Sequence, residues 1–267
     1  MSAPQTWHHG LVADWWAEFN QDGPEIEYFQ RFVEAGEPAL DAGCGTGRLL
    51  IPYLRAGLDV DGCDVSADMV ARCREKAERE QLAPTLYVQA LYELDLPRRY
   101  RTIVVCGAFG LGSDRDRDLE ALSRLHEHLE PGGALVLDIE VPYANARHWA
   151  YWPRESHAGL PEPAIAPQSL RRVSDGSELG LKVRVVELDP LEQTQILEIH
   201  AERWRGGAIE AEETHRLNVN LYFKNELVLM LERAGFVDIQ VCGDHNDDAP
   251  TTDDAFLVFA AHRKESG

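Results

Sequence analysis

Apolar positions between residues 48 and 141 recur at two alternating spacings. The spacing predicts helices over 48–56, 66–81 and 115–129, and strands over 58–64, 85–90, 102–106 and 134–141. Ser66 is a good N-cap, and Asp68 falls in the first turn of its helix. Such alternation predicts a parallel, doubly wound α/β sheet. Upstream, Trp7, Leu11, Val12, Trp15, Trp16 and Phe19 repeat at helical spacing, followed by Ile26, Phe29, Phe32 and Val33. From 143 to 168 the pattern breaks into irregular text rich in Pro, Trp, Tyr and His. Three strand-like runs follow, 179–188, 195–205 and 208–219, with Gly206-Gly207 turning between the last two. They predict an antiparallel sheet inserted before a final helix over 224–234 and two strands, 236–241 and 256–261. The expected organisation is a core with leading helices (1–142), an insert (143–221) and a C-terminal completion of the core (222–267).

The run Leu40-Asp41-Ala42-Gly43-Cys44-Gly45-Thr46-Gly47-Arg48 carries the chemistry. An apolar strand delivers a glycine-rich turn that opens into a helix, where the backbone approaches a ligand without hindrance from a Cβ. Asp64 follows 21 positions after Gly43 (64 − 43), at the end of the next strand, placed to accept hydrogen bonds from ribose hydroxyls. In the nicotinamide fingerprint the third glycine comes three positions after the second; here Gly47 comes two after Gly45, which disfavours a dehydrogenase.

Read with Asp41, this turn resembles the first motif of the class I S-adenosylmethionine (SAM)-dependent methyltransferases. Gly62-Cys63-Asp64-Val65-Ser66-Ala67-Asp68-Met69 resembles that family's second segment, and Leu129-Glu130-Pro131-Gly132-Gly133 its entry to the fifth strand. The resemblance implies a Rossmann-like seven-stranded sheet closed by an antiparallel hairpin, SAM as cofactor, and methyl transfer. It implies that Gly43 and Gly45 approach the methionine part within the turn completed by Gly47, that Asp41 orders this turn and reaches the amino group through water, and that Asp64 holds the ribose. Val65, Met69, Gln89, Ala90 and Leu91 then surround the adenine, with Cys106 and Trp15 completing the cofactor site. Leu91 or its neighbour stands where many relatives have an adenine-binding Asp, and Arg101 where they often have Asp. The insert resembles those of small-molecule N-methyltransferases, such as the glycine, sarcosine and amino-sugar enzymes, and the leading helices resemble the segment that caps their cofactor. Trp15 and Trp16 read equally as core anchors of a docked helix.

Charge narrows the acceptor. Twenty-six basic against 46 acidic residues give −20, a field that repels nucleic acid and anionic membrane surfaces. Arg98-Arg99-Tyr100-Arg101 reads as a solvated loop. No apolar run reaches membrane-spanning length and residues 1–10 lack a signal core, so a cytoplasmic enzyme is expected. Five cysteines without a Cys-x-x-Cys pair indicate neither a disulfide framework nor a metal. Acceptor groups are expected beyond the strand ends, at 107–110 with Phe109 as a wall and at 140–143. Glu140 and His148 are the candidate catalytic residues, with His8 and His9 next; His126 and His128 read as solvated, and His200 and His215 as insert residues. The expected reaction is transfer to an amine nitrogen of a small molecule. A hydroxyl acceptor, or a SAM-binding protein without transfer, are the alternatives. A homodimer through the inserted sheet is possible, since unpaired edges invite partners.

Overall fold

Alternating side chains of the central strands enter two separate cores. Ile103 packs with Leu40, Leu122, Leu125, Leu135 and Leu137, whereas Val104 and Val136 pack with Phe29, Val33, Tyr53 and Val258. Both faces of the sheet are therefore covered, as parallel strands require.

The computed structural model describes residues 6–164 and 170–265. In chain order the elements are α1 (Gly10–Phe19), α2 (Glu25–Ala35), β1 (Ala39–Ala42), α3 (Leu50–Arg55), β2 (Val60–Asp64), α4 (Ala67–Arg79), β3 (Leu86–Val88), β4 (Tyr100–Val105), α5 (Arg115–His128), β5 (Leu129–Glu140) and α6 (Ala146–Trp149). Then come β6 (Arg171–Arg172), β7 (Glu178–Asp189), β8 (Thr194–Arg205), β9 (Ala208–Asn220), α7 (Lys224–Arg233), β10 (Phe236–Gly243) and β11 (Phe256–Arg263). Seven strands form one sheet in the order β10-β11-β5-β4-β1-β2-β3, parallel except for β11. The chain runs outward from β1 to β3 and then returns to place β4 on the other side of β1. Loops leaving the carboxyl ends of β1 and β4 therefore diverge and open a crevice.

Gly62 in β2 is a packing requirement: a Cβ there would lie 2.9 Å from both Leu50 and Leu86 side chains. Ser66 caps α4 as its position predicts, its Oγ accepting from Met69 N at 3.2 Å.

The second sheet, β6-β7-β8-β9, is antiparallel. Its buried face (Leu179, Val185, Leu197, Ile199, Ala201, Leu217) packs on Trp7, Leu11 and Val12. Helix α1 thus serves the insert, while Tyr28, Phe29 and Val33 of α2 serve the main sheet. The insert joins the β4 loop through Gly112 N→Asn218 O (2.7 Å) and Asn220 N→Gly110 O (2.8 Å). Gly110 sits at φ +80°, and a Cβ there would approach Asn220 O to 2.8 Å.

Three expectations need correction. Between 143 and 164 the irregular text contains α6 and a 3-10 segment, Arg154–Gly159; residues 165–168 lie outside the described residues. Tyr100 is no loop residue but the fully buried start of β4, its hydroxyl donating to Asp61 at 2.9 Å. His128 is buried rather than solvated: Leu96 N donates to its Nε2 at 3.0 Å, leaving Nδ1–H to donate to Arg124 O at 2.8 Å. His126 is half-buried against Phe236. Among the described residues, no helix is long and apolar enough to cross a membrane, and no three His, Cys, Asp or Glu side chains gather to hold a metal ion.

Candidate active site

Three positive-φ glycines turn the chain out of β1, at +89° (Gly43), +52° (Gly45) and +84° (Gly47). A Cβ on Gly43 would lie 2.4 Å from the Ala108 Cβ, and one on Gly47 2.7 Å from Cys73 Sγ, whereas none would meet anything within 4 Å at Gly45. Gly43 thus lets the turn meet the β4 loop, Gly47 lets the turn pack on α4, and Gly45 faces open space. Gly43→Ala is accordingly expected to cost ligand-free protein more than about 3 kcal/mol, through clash as well as backbone strain. Gly45→Ala is expected to cost only about 1–2 kcal/mol of left-handed strain. Thermal or urea unfolding of both variants checks this; equal losses would contradict it.

Strands β1 and β2 hold two acids, Asp41 and Asp64, in one cavity. Gly45 N donates to Asp64 Oδ2 at 2.9 Å and Ser66 N to Oδ1 at 2.8 Å, so the carboxylate is clasped by the glycine turn and the cap of α4. Burial raises the Asp64 pKa, and these two N–H groups pull it back. Each oxygen retains a lone pair for a ligand hydroxyl. Asp41 is 2% exposed, and its Oδ2 has no hydrogen-bond partner. Burial, then the Asp64 charge, pushes its pKa up to about 7.

Asp41, Gly43, Gly45, Asp64, Val65, Met69, Gln89, Ala90, Leu91 and Cys106 all line this cavity. The Gln89 carboxamide is already engaged, however, accepting from Asp95 N at 2.9 Å. Five of the site candidates singled out in the sequence are not among its lining residues: Gly47, Trp15, Glu140, His148 and His9. Trp16 of α1 and Asn20, the residue that caps its C-terminus, face the cavity instead; Trp15 lies against Phe19 and Arg171. Glu140 is exposed at the end of β5. His148 lies on α6, where burial and Arg147 lower its pKa.

Three wall residues had no assigned place in the cofactor set. Arg48 is ion-paired with Glu25 and donates to Cys106 Sγ at 3.5 Å; its place beside Gly47 in the motif was the available signal. Burial pushes the His8 pKa down to about 4. Trp7 Nε1 donates to its Nε2 at 3.2 Å, and its Nδ1 lies 2.6 Å from Thr6 Oγ1, so both ring nitrogens are engaged. Asp118, in the first turn of α5, carried no signal beyond that of a helix-start acid.

Polar contacts tie the cover to both sheets. Gly10 N donates to Asp68 at 2.8 Å and Leu11 N to Glu213 at 2.9 Å, so acids from the core and from the insert satisfy the free N–H groups of α1. Asp14 then pairs with Arg72 of α4 and Arg203 of β8. Behind the β4 loop, Asp138 accepts from Gly107 N at 2.6 Å and contacts His245 Nε2 at 2.8 Å.

Residues 39–133 match the family model of a methyltransferase domain. A Geobacillus protein named as a methyltransferase is 28% identical over 141 residues, covering 49% of this chain and 57% of that protein. The chain thus spans little more than half the length of this relative. Among solved structures, a SAM-dependent methyltransferase from Clostridium acetobutylicum superposes with TM-score 0.70 at 14% identity, covering 94% of this chain and 96% of the other. A sugar N-methyltransferase from Streptoalloteichus superposes with TM-score 0.69 at 18% identity and 99% coverage of both chains. At these identities the structural likeness is one of fold.

Proposed function

Because this chain belongs to the class I SAM-dependent methyltransferases, we propose that it methylates a small molecule on an amine nitrogen. The observation that carries the cofactor fit is the buried acid pair: Asp41 has a carboxylate oxygen without a partner, and Asp64 is held beside open space at Gly45. Asp64 would accept the ribose hydroxyls, Asp41 would take the amino group, and Val65, Met69, Ala90 and Leu91 would enclose the adenine. Bound SAM supplies a methyl group activated by its sulfonium, so the protein need only align the acceptor and exclude water. Phe109 of the β4 loop and Trp16 of α1 wall the cavity and serve that exclusion.

Nitrogen is favoured over oxygen by what the wall offers. An amine that binds as its ammonium regains its lone pair by passing one proton to a carboxylate such as those in this wall, whereas a hydroxyl holds its proton far more tightly and needs a stronger base to become a nucleophile. His8 is the imidazole among the described lining residues, and both of its nitrogens are engaged. Release of S-adenosylhomocysteine from SAM, measured with separate pools of amines, amino sugars, amino acids and phenols, tests the reading. Release is expected with an amine-containing pool. Release with phenols alone would move the acceptor to oxygen, and SAM binding without release from any pool would favour a protein that binds SAM without transfer.

A further inference from the structure

Asp118 is 3% exposed in the wall of the same cavity, next to the loop that follows β4. Ser113 Oγ donates to its Oδ1, while Asn220 Nδ2 (2.7 Å) and Tyr222 Oη (2.6 Å) donate to its Oδ2. All three donors are neutral. Among the described residues no Lys, Arg or His pairs with this carboxylate; Arg115, nearby, lies over the Tyr222 ring and pairs with Glu226. Buried carboxylates ordinarily have a cationic partner, because an uncompensated charge is costly to remove from water. Oδ2 is saturated, but Oδ1 has one donor and keeps acceptor capacity. On the neighbouring amide, Asn220 Oδ1 is buried without a partner.

We propose that Asp118 recognises the acceptor by a protonated amino group, so that the site selects a basic amine over a neutral hydroxyl compound; the inference rests on the amine-methyltransferase reading above. An alkylammonium brings the missing charge and several N–H donors, enough for Asp118 Oδ1 and a second acceptor. A hydroxyl brings one donor and no charge. The surroundings act in the same direction, since Asp41 and Asp64 share the cavity and Arg48 is already paired with Glu25. Asn220 ends β9 and Tyr222 follows it, so the carboxylate is oriented only when the insert is docked on the core. That places acceptor recognition at the joint between the two sheets.

Calorimetric titration of the full chain, loaded with S-adenosylhomocysteine, compares cyclohexylammonium with cyclohexanol, which matches it in shape. Wild type is expected to bind the ammonium at least about tenfold more tightly. Asp118→Asn is expected to erase that preference while affinity for S-adenosylhomocysteine and far-ultraviolet circular dichroism stay unchanged. Equal binding of the two probes by wild type, or a preference that survives Asp118→Asn, overturns the inference. A loss of S-adenosylhomocysteine affinity in a folded variant assigns Asp118 to the cofactor and also overturns it. Should Asp118→Asn fail to fold, Tyr222→Phe decides: freeing Oδ2 is expected to tighten the ammonium about threefold or more without altering cyclohexanol, and no change defeats the inference. If the ammonium preference holds but no amine pool releases S-adenosylhomocysteine, recognition by Asp118 stands and the transfer reading fails.

Discussion

Replacing Asp64 with alanine is expected to weaken SAM binding by at least about a hundredfold and to reduce turnover at subsaturating SAM accordingly. A hydrogen bond to a charged group contributes about 1.5–3 kcal/mol, and two ribose hydroxyls on one carboxylate make about 3 kcal/mol a conservative loss. Each tenfold in affinity is about 1.4 kcal/mol. The truncation also releases Gly45 N and Ser66 N, whose bonds to Asp64 hold the glycine turn against the cap of α4. Asp64→Asn keeps one acceptor oxygen and is expected to lose less. Calorimetric titration with SAM measures both variants; an alanine variant that bound within tenfold of wild type would remove Asp64 from the cofactor.

Asp41 is expected to give the protein two opposed pH dependences near neutrality. Its carboxyl is pushed up to about 7 by burial and by Asp64, against about 3.9 in an unfolded chain. The folded state therefore holds this proton more tightly. Its contribution to stability is full below about pH 4 and is lost as pH rises through about 7. Asp41→Asn imitates the protonated form in both states, so the ligand-free variant is expected to melt somewhat higher than wild type at pH 5 and by a larger margin at pH 8. SAM binding is expected to run the other way. The ionised carboxylate attracts the amino group of SAM, and the ionised fraction of a group with a pKa near 7 rises about tenfold between pH 6 and 8. Wild-type affinity should rise by up to that factor, and the Asn variant should be flat and weaker. Melting curves and SAM titrations across pH 5–8 measure both slopes. A wild type whose affinity did not change across pH 7 would exclude Asp41 from that contact.

What was legible in the sequence was local in the chain or periodic. The glycine turn could be read because positive φ is a property of single residues, and Gly43, Gly45 and Gly47 all adopt it. Asp64 could be placed because a strand ending in an acid projects it toward the turn of the neighbouring strand, and β1 pairs in register with β2. The alternation of spacings located the strands of both sheets except the two-residue β6, which is too short to show a period, since the hydrophobic period follows from backbone geometry alone.

The residues that sequence reasoning misplaced depend on contacts distant along the chain. One position on a helix is about 100° of rotation, so whether Trp15 or Trp16 meets the cavity is decided by how α1 packs on the insert. Glu140 has the right position in its strand and the wrong surroundings, being exposed to solvent. Asp118 was not singled out in the sequence, because its partners Asn220 and Tyr222 are 102 and 104 positions away. By itself, then, the sequence determined the glycine turn, the two acids beside it and the class of the fold, through backbone preferences that need no distant partner. Only the tertiary structure decided which acid, which tryptophan and which histidine line the cavity, because burial and charge compensation belong to the packing of the insert on the core.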